Sequence, residues 1–139
     1  MKKIYLNSLE PSQEQLNSLL ECYQTGRYVD AEKLSVSITE EFPKHPIAWK
    51  VLGAILKQTG RISESLVVFQ KSVQLDPQDA EAHNNLGVIM NELGRLEEAE
   101  TNIRQAIALK PNYVEAYSNL GNIMNELGRL DEAKASFTQ

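Results

Sequence analysis

The sequence predicts an all-α protein, an α-solenoid of antiparallel helix-turn-helix repeats of 34 residues, and three observations predict it. The pair Gly-Arg recurs at Gly26-Arg27, Gly60-Arg61, Gly94-Arg95 and Gly128-Arg129, every 34 residues, and Pro43, Pro77 and Pro111 keep the same step. Gly53, Gly87 and Gly121 keep it too, each preceded by a leucine (Leu52, Leu86, Leu120), with a ring three residues before that leucine at Trp49, His83 and Tyr117. Each period carries two apolar runs of helical spacing on either side of Gly-Arg, for example Leu86, Met90 and Leu93, then Leu96, Ala99, Ile103, Ala106 and Ile107. A period of this length marks an architecture in which each repeat buries its apolar face on the next.

The spacing places helices over 12–25, 28–41, 46–59, 62–75, 80–93, 96–109, 114–127 and 130–139. Residues 1–11 form an N-terminal extension, whose Ile4, Tyr5, Leu6 and Leu9 can fold back over the first repeat. The first repeat, 12–45, is atypical: Ser18-Leu19 stands where Leu-Gly is expected and Ser35 where a large side chain is, as in a capping repeat. The second, 46–79, closes its last helix at Asp76-Pro77, because proline cannot continue a helix. In the third, 80–113, Gly94 fits a left-handed residue ending the first helix, and Lys110-Pro111 ends the second. Gly53, Gly87 and Gly121 each cost about 1 kcal/mol of helix propensity, so they need a packing reason: close approach of the paired helix. The fourth repeat, 114–139, is incomplete. It matches the third at 16 of 26 positions, which points to duplication, but the chain as given stops before its second helix is closed or capped.

Composition bounds the function. The 139 residues carry 14 Lys and Arg against 19 Asp and Glu, a formal charge of −5, with no block of cations to meet a phosphate backbone or an anionic lipid surface. Neither nucleic acid nor a membrane is an expected partner, and no stretch approaches the ~20 apolar residues of a membrane helix. The apolar start Ile4-Tyr5-Leu6 breaks at Asn7, so no export signal is read. The lone Cys22 cannot close an intramolecular disulfide, which fits a reducing, cytoplasmic setting.

The pattern Trp49, Leu52, Gly53, Leu56, Ser65, Phe69, Pro77, then His83, Leu86, Gly87, Met90, Ala99, Ile103, Pro111, then Tyr117, Leu120, Gly121, Met124, Ala133, Phe137 resembles the tetratricopeptide repeat. The resemblance covers residues 12 to 139. It implies a right-handed superhelix whose first helices line a concave groove that binds protein or peptide.

Little else could carry chemistry. Cys22 falls where the family has a core aromatic, so it reads as a packed thiol; His45 sits in a turn between prolines; His83 reads as a core ring between helices. Two separate histidines and one cysteine do not supply a zinc site, and no metal or cofactor is expected. The acid pairs Glu40-Glu41, Glu97-Glu98 and Asp131-Glu132 fall at helix ends, where they read as solvated charge, those in a first turn complementing its dipole. No catalytic constellation is present, and the chain is expected not to be an enzyme.

In the family frame the groove positions of the third and fourth repeats are Asn85, Val88, Asn91 and Glu92, then Asn119, Asn122, Asn125 and Glu126, with Lys50 and Lys57 making the second repeat basic. An amide offers both donors and an acceptor, so it can pair with an extended backbone without reading side chains. The expected partner-binding groove is Lys50, Lys57, Asn85, Val88, Asn91, Asn119, Asn122 and Asn125. Asn85 and Asn119 resemble the asparagine ladder in the superhelix of the O-linked N-acetylglucosamine transferases, interrupted here at Val51. The carboxylate clamp of co-chaperones is not matched: Lys50 and Asn85 fit, but Ala54, Glu115 and Asn119 depart, and a frame started one repeat earlier meets Leu16, Leu20 and Glu81.

The expected function is a protein or peptide interaction module. The competing expectation is the substrate-recognition segment of a larger transferase with a catalytic domain beyond Gln139, and a third is a ligand-free spacer. Part of Leu120, Ile123, Met124, Leu127, Leu130, Ala133 and Phe137 is left uncovered in an unfinished fourth repeat, so weak homodimerisation through residues 114 to 139 is also expected.

Overall fold

The computed structural model describes residues 10–138, the last three by their backbone, so the fold-back of Ile4, Tyr5, Leu6 and Leu9 and the placement of the Phe137 side chain lie outside the described residues. Among the described residues there are seven helices and no strand: α1 (Gln13–Gln24), α2 (Tyr28–Glu41), α3 (Pro46–Gln58), α4 (Ile62–Leu75), α5 (Ala80–Glu92), α6 (Leu96–Leu109) and α7 (Val114–Thr138). They fall into two compact units, Met1–Asp76 and Pro77–Gln139.

Helix ends follow from local chemistry. Ser12 caps α1 through a capping box, its Oγ accepting from the Gln15 amide at 3.0 Å while Gln15 Oε1 accepts from the Ser12 amide at 2.8 Å. Asp79 accepts from the Ala82 amide at 3.2 Å to cap α5, and Pro46 opens α3, where a missing N–H costs nothing. Gly26, Gly60 and Gly94 end α1, α3 and α5 with φ of +79°, +82° and +78°, the left-handed conformation that lets the chain reverse at once.

In the first unit, hairpins α1–α2 and α3–α4 pack through α2 against α3. Leu19, Cys22, Ala31, Ile38, Phe42, Ala48, Val51 and Ile55 form one buried cluster, so Cys22 is a packed thiol there. Gly53 explains itself: a Cβ at that position would lie 2.8 Å from the Phe69 ring, and Ser65 Oγ donates to the Gly53 carbonyl at 2.8 Å. Helices α3 and α4 can touch only because Gly53 has no side chain. In repeat one the sizes are reversed. Leu19 stands in the glycine register and Ser35 in the register of Phe69, and both are fully buried.

Arg61, the residue just before α4, pairs with Glu32 of α2 through both terminal guanidinium nitrogens, Nη1 at 3.0 Å from Oε2. The hydrogen bonds from Arg61 hold the Glu32 carboxyl below its usual range, against the opposing effect of burial.

The second unit has hairpin α5–α6, with α7 packed on α6 and touching α5. A Cβ at Gly87 would lie 2.6 Å from Ile103 Cδ1 and 3.2 Å from the Ala99 carbonyl, so the close approach expected of Gly87 is found. For Gly121 it is not. Nothing stands within 4 Å of its Cβ position, and the expected pair of helices 114–127 and 130–139 is replaced by the single helix α7, with Gly128 helical rather than left-handed. Continuing the helix keeps the backbone hydrogen bonds across Gly128. A hairpin has to surrender them and recover the loss by seating a bulky side chain on Gly121, and no such seating occurs. Of the apolar set expected to lack cover, Ile123 is buried, Leu120 and Leu127 are half-buried, and Met124, Leu130 and Ala133 are exposed.

Two predictions follow from this packing. Gly87→Leu should lose about 1 to 3 kcal/mol by overpacking, and adding Ile103→Ser, which copies the Leu19 and Ser35 arrangement, should recover part of that loss in chemical denaturation. Glu32→Gln should lower the melting temperature at neutral pH. Because the folded-state pKa of Glu32 is depressed, its contribution is present above the ordinary carboxylate range and fades as pH falls through it, so parent and variant should converge in acid.

Candidate functional site

The ring that precedes each Leu-Gly fixes the loop in front of its helix. Trp49 Nε1 donates to the Pro43 carbonyl at 2.9 Å, His83 Nε2 lies 2.9 Å from the Pro77 carbonyl, and the Tyr117 hydroxyl donates to the Pro111 carbonyl at 3.1 Å. A carbonyl can only accept, so His83 carries its proton on Nε2. His83 is buried, as the sequence reading of a core ring expects, and its Nε2 edge in addition serves the loop. The signal was available, since proline and ring stand six residues apart in all three copies.

These anchored helices position the asparagines. Asn119 Nδ2 of α7 donates to Oδ1 of Asn84 on α5 at 3.0 Å, and Asn84 is almost wholly buried. Toward the C-terminal end of α5, Asn91, Gly94, Leu96, Asn122, Asn125, Glu126 and Leu130 line one open concavity of about 630 Å3. The structure thus brings together three of the expected groove residues, Asn91, Asn122 and Asn125, and adds Gly94, Leu96 and Leu130. None of these three amides hydrogen-bonds to another described residue. Leu130 reaches the concavity only because α7 runs straight past Gly128.

The remaining expected residues fall elsewhere. Asn85 and Val88 are half-buried on α5 and do not line the concavity. Asn119, also half-buried rather than exposed, has its amide N–H committed to Asn84. Lys50 and Lys57 are half-buried on α3, in the other unit.

The charge around the concavity is acidic and mostly paired. Glu126 Oε1 lies 3.4 Å from Arg129 Nη1, and Arg95 grips Glu98 with contacts of 2.8 and 2.6 Å. Hydrogen bonding from Arg95 holds the Glu98 carboxyl below its usual range, and burial pushes the Tyr113 phenol up. Cys22, His45 and His83 do not converge, and among the described residues no group of three or more His, Cys, Asp or Glu side chains could hold a metal ion. No helix of the described residues is long and apolar enough to cross a membrane.

No curated protein matches the sequence. Solved structures do match by fold. The first TPR of Spaghetti (RPAP3) bound to the HSP90 peptide SRMEEVD superposes with a TM-score of 0.80 at 20% identity, over 86% of this chain and 97% of that one. The Yersinia enterocolitica type III secretion chaperone SycD, in complex with a peptide of the translocator YopD, gives 0.73 at 21% identity, over 83% and 96%. A mutant O-GlcNAc transferase from Thermobaculum terrenum gives 0.73 at 22%, over 82% of this chain but 23% of that one. These are likenesses of fold. The sequence profile of the TPR repeat matches residues 53–94 and 89–128, more than half of the chain, in the register of Leu-Gly, Gly-Arg and Pro described above. The chain belongs to the TPR repeat family.

Proposed function

We propose that this chain is a protein-interaction module whose second unit holds an extended peptide segment in the concavity of α5 and α7. The observation that carries the reading is that Asn91, Asn122 and Asn125 converge on one open surface with their amides unused. Each can give a hydrogen bond to a peptide carbonyl and accept one from a peptide N–H, while Leu96 and Leu130 offer apolar contact to a single side chain. The peptides seen with the Spaghetti and SycD structures support the class of ligand. They do not transfer its sequence. Glu92 and Glu126 on the same helices disfavour an acidic tail such as SRMEEVD, and the cations of a carboxylate clamp are missing from the corresponding positions Glu115 and Asn119. The ligand favoured is an extended neutral or basic segment. Within the first unit taken by itself, Lys50 and Lys57 are proposed contacts, and within the second Asn85, Val88 and Asn119 are proposed beside the three amides. The buried free thiol of Cys22 is in keeping with a reducing, cytoplasmic setting. The transferase reading gains no support, because that neighbour shares fold alone.

An array of extended peptides of neutral, basic and acidic composition, with SRMEEVD and its Glu-to-Gln form among them, tests the ligand class. The neutral form should bind more tightly than the acidic one. For the best binder, the triple variant Asn91→Ala, Asn122→Ala, Asn125→Ala should weaken binding by roughly 10- to 1,000-fold at unchanged stability, each amide contributing about 0.5 to 1.5 kcal/mol. Asn119→Ala should behave differently. It removes the partner of the buried Asn84 carbonyl, so its main effect should be a loss of about 1 kcal/mol in folding stability. Equal affinity of the triple variant and the parent in calorimetry would move the site elsewhere.

A further inference from the structure

In the second unit the two Gly-Arg arginines choose different acids. Arg95 grips Glu98, three residues ahead of it, with contacts of 2.8 and 2.6 Å, and the acid three residues behind it, Glu92, makes no ion pair with another described residue. Arg129 holds the same place in the next repeat, yet it turns back to Glu126 with a contact of 3.4 Å. Both side chains of that pair are more than half exposed, and an exposed pair of this kind is held weakly. Glu126 also lines the concavity that holds Asn91, Asn122 and Asn125.

The straight course of α7 sets what stands beside Glu126. Asn122, Glu126 and Leu130 follow one another at four-residue steps, so they share one side of the helix and stand about 6 Å apart along its axis. The lining of the concavity thus runs along α7 for about 12 Å, whereas α5 contributes Asn91. Two residues of an extended chain span about 6.6 Å and return the side chain to the same side. A segment lying along α7 therefore sets alternate side chains against Glu126 and Leu130, with the Asn122 and Asn125 amides beside its backbone. In the third repeat the counterparts Val88, Glu92 and Leu96 form no such row, because the left-handed Gly94 turns the chain between Glu92 and Leu96.

Building on the peptide-binding role proposed above, we infer that Glu126 is the specificity-determining residue of this site, and that the segment it takes carries a lysine or arginine two residues from a leucine-like side chain. The ligand cation takes the Glu126 carboxylate from Arg129, and the apolar side chain lies between Leu96 and Leu130. The exchange is favourable because the ligand cation sits inside the concavity, where water and salt screen the pair less, while the Arg129 side chain, already 68% exposed, returns to solvent. Arg129 is in this way an internal competitor for the ligand cation. Arg95 is not, since its guanidinium is spent on Glu98.

Titrations of the full chain, followed by NMR at the asparagine side-chain amides, test the pairing. The peptides TSKTLTS and TSLTKTS present the alternating pattern in both chain directions, TSKLTTS sets the two side chains next to each other, and a form of the better binder with norleucine for lysine removes the charge. The tighter of the first two should bind at least about threefold more tightly than TSKLTTS, and should lose at least about threefold on replacement of its lysine. Added salt should narrow that second difference. Glu126→Gln should erase the preference for lysine, and Arg129→Ala, which removes the competitor, should widen it. Both side chains are exposed, so neither variant disturbs the fold. A norleucine peptide that binds as well as the lysine peptide overturns the inference, as does adjacent spacing that serves as well as alternation, or a preference that survives Glu126→Gln. In each of those cases the peptide-binding role stands if the triple asparagine variant loses the peptide. Silence from this set while neutral peptides of the wider array bind also overturns the inference alone, and silence from every peptide overturns both.

Discussion

A bulky side chain seated on a residue that has none is the contact each closed hairpin depends on. In α3–α4 it is the Phe69 ring over Gly53, and in α5–α6 it is Ile103 over Gly87, with separations that leave no room for even a methyl group. The interior is close-packed, so this fit sets the distance between the helices and with it the position of every neighbouring side chain. The small residue one turn earlier on the second helix, Ser65 or Ala99, belongs to the same contact: Ser65 hydrogen-bonds the Gly53 carbonyl, and the Ala99 carbonyl approaches Gly87. Repeat one carries the two sizes in exchanged registers, Leu19 in that of the glycine and Ser35 in that of Phe69, and both are fully buried.

The same constraint decides whether a Gly-Arg pair makes a turn. Gly94 and Gly128 lie in the identical run Ile-Met-Asn-Glu-Leu-Gly-Arg-Leu, yet Gly94 is left-handed and Gly128 helical. Local sequence permits both states. The difference lies beyond the turn, in whether the second helix seats on the first, as at Gly87, or leaves the notch open, as at Gly121. A glycine at the end of a helix is thus a conditional stop, and tertiary packing overrides it when the return contact is missing.

This explains how much was legible in the sequence. The period, six of the seven helices to within about two residues, the left-handed Gly94 and the close contacts at Gly53 and Gly87 all rest on residues a few turns apart, and spacing reports such relations directly. The uninterrupted α7 depends on a contact that does not form, which no spacing can report. The exchange of sizes between Leu19 and Ser35 made the first repeat look degenerate because each position was compared with its own column and not with the residue facing it. The bonds from Trp49, His83 and Tyr117 to the prolines were visible in register but needed the loop geometry to acquire meaning.

The asparagines show where repetition misleads about function. Duplication copies a binding residue and a structural residue with equal fidelity, so a column of asparagines at a fixed period does not say which of them meet a ligand. Hydrogen bonds and placement separate them. Asn119, read from its column as a ligand amide, spends its N–H on the buried Asn84 and so ties α7 to α5. Asn91, Asn122 and Asn125 line open space with no bond to another described residue. An amide already paired inside the fold must break that bond before it can give one to a peptide, and the exchange gains little; an amide facing water exchanges solvent for peptide at no cost to the fold. The proposed binding surface therefore centres on the unpaired amides near the α5–α6 turn, and the paired one belongs to the contact between α7 and α5.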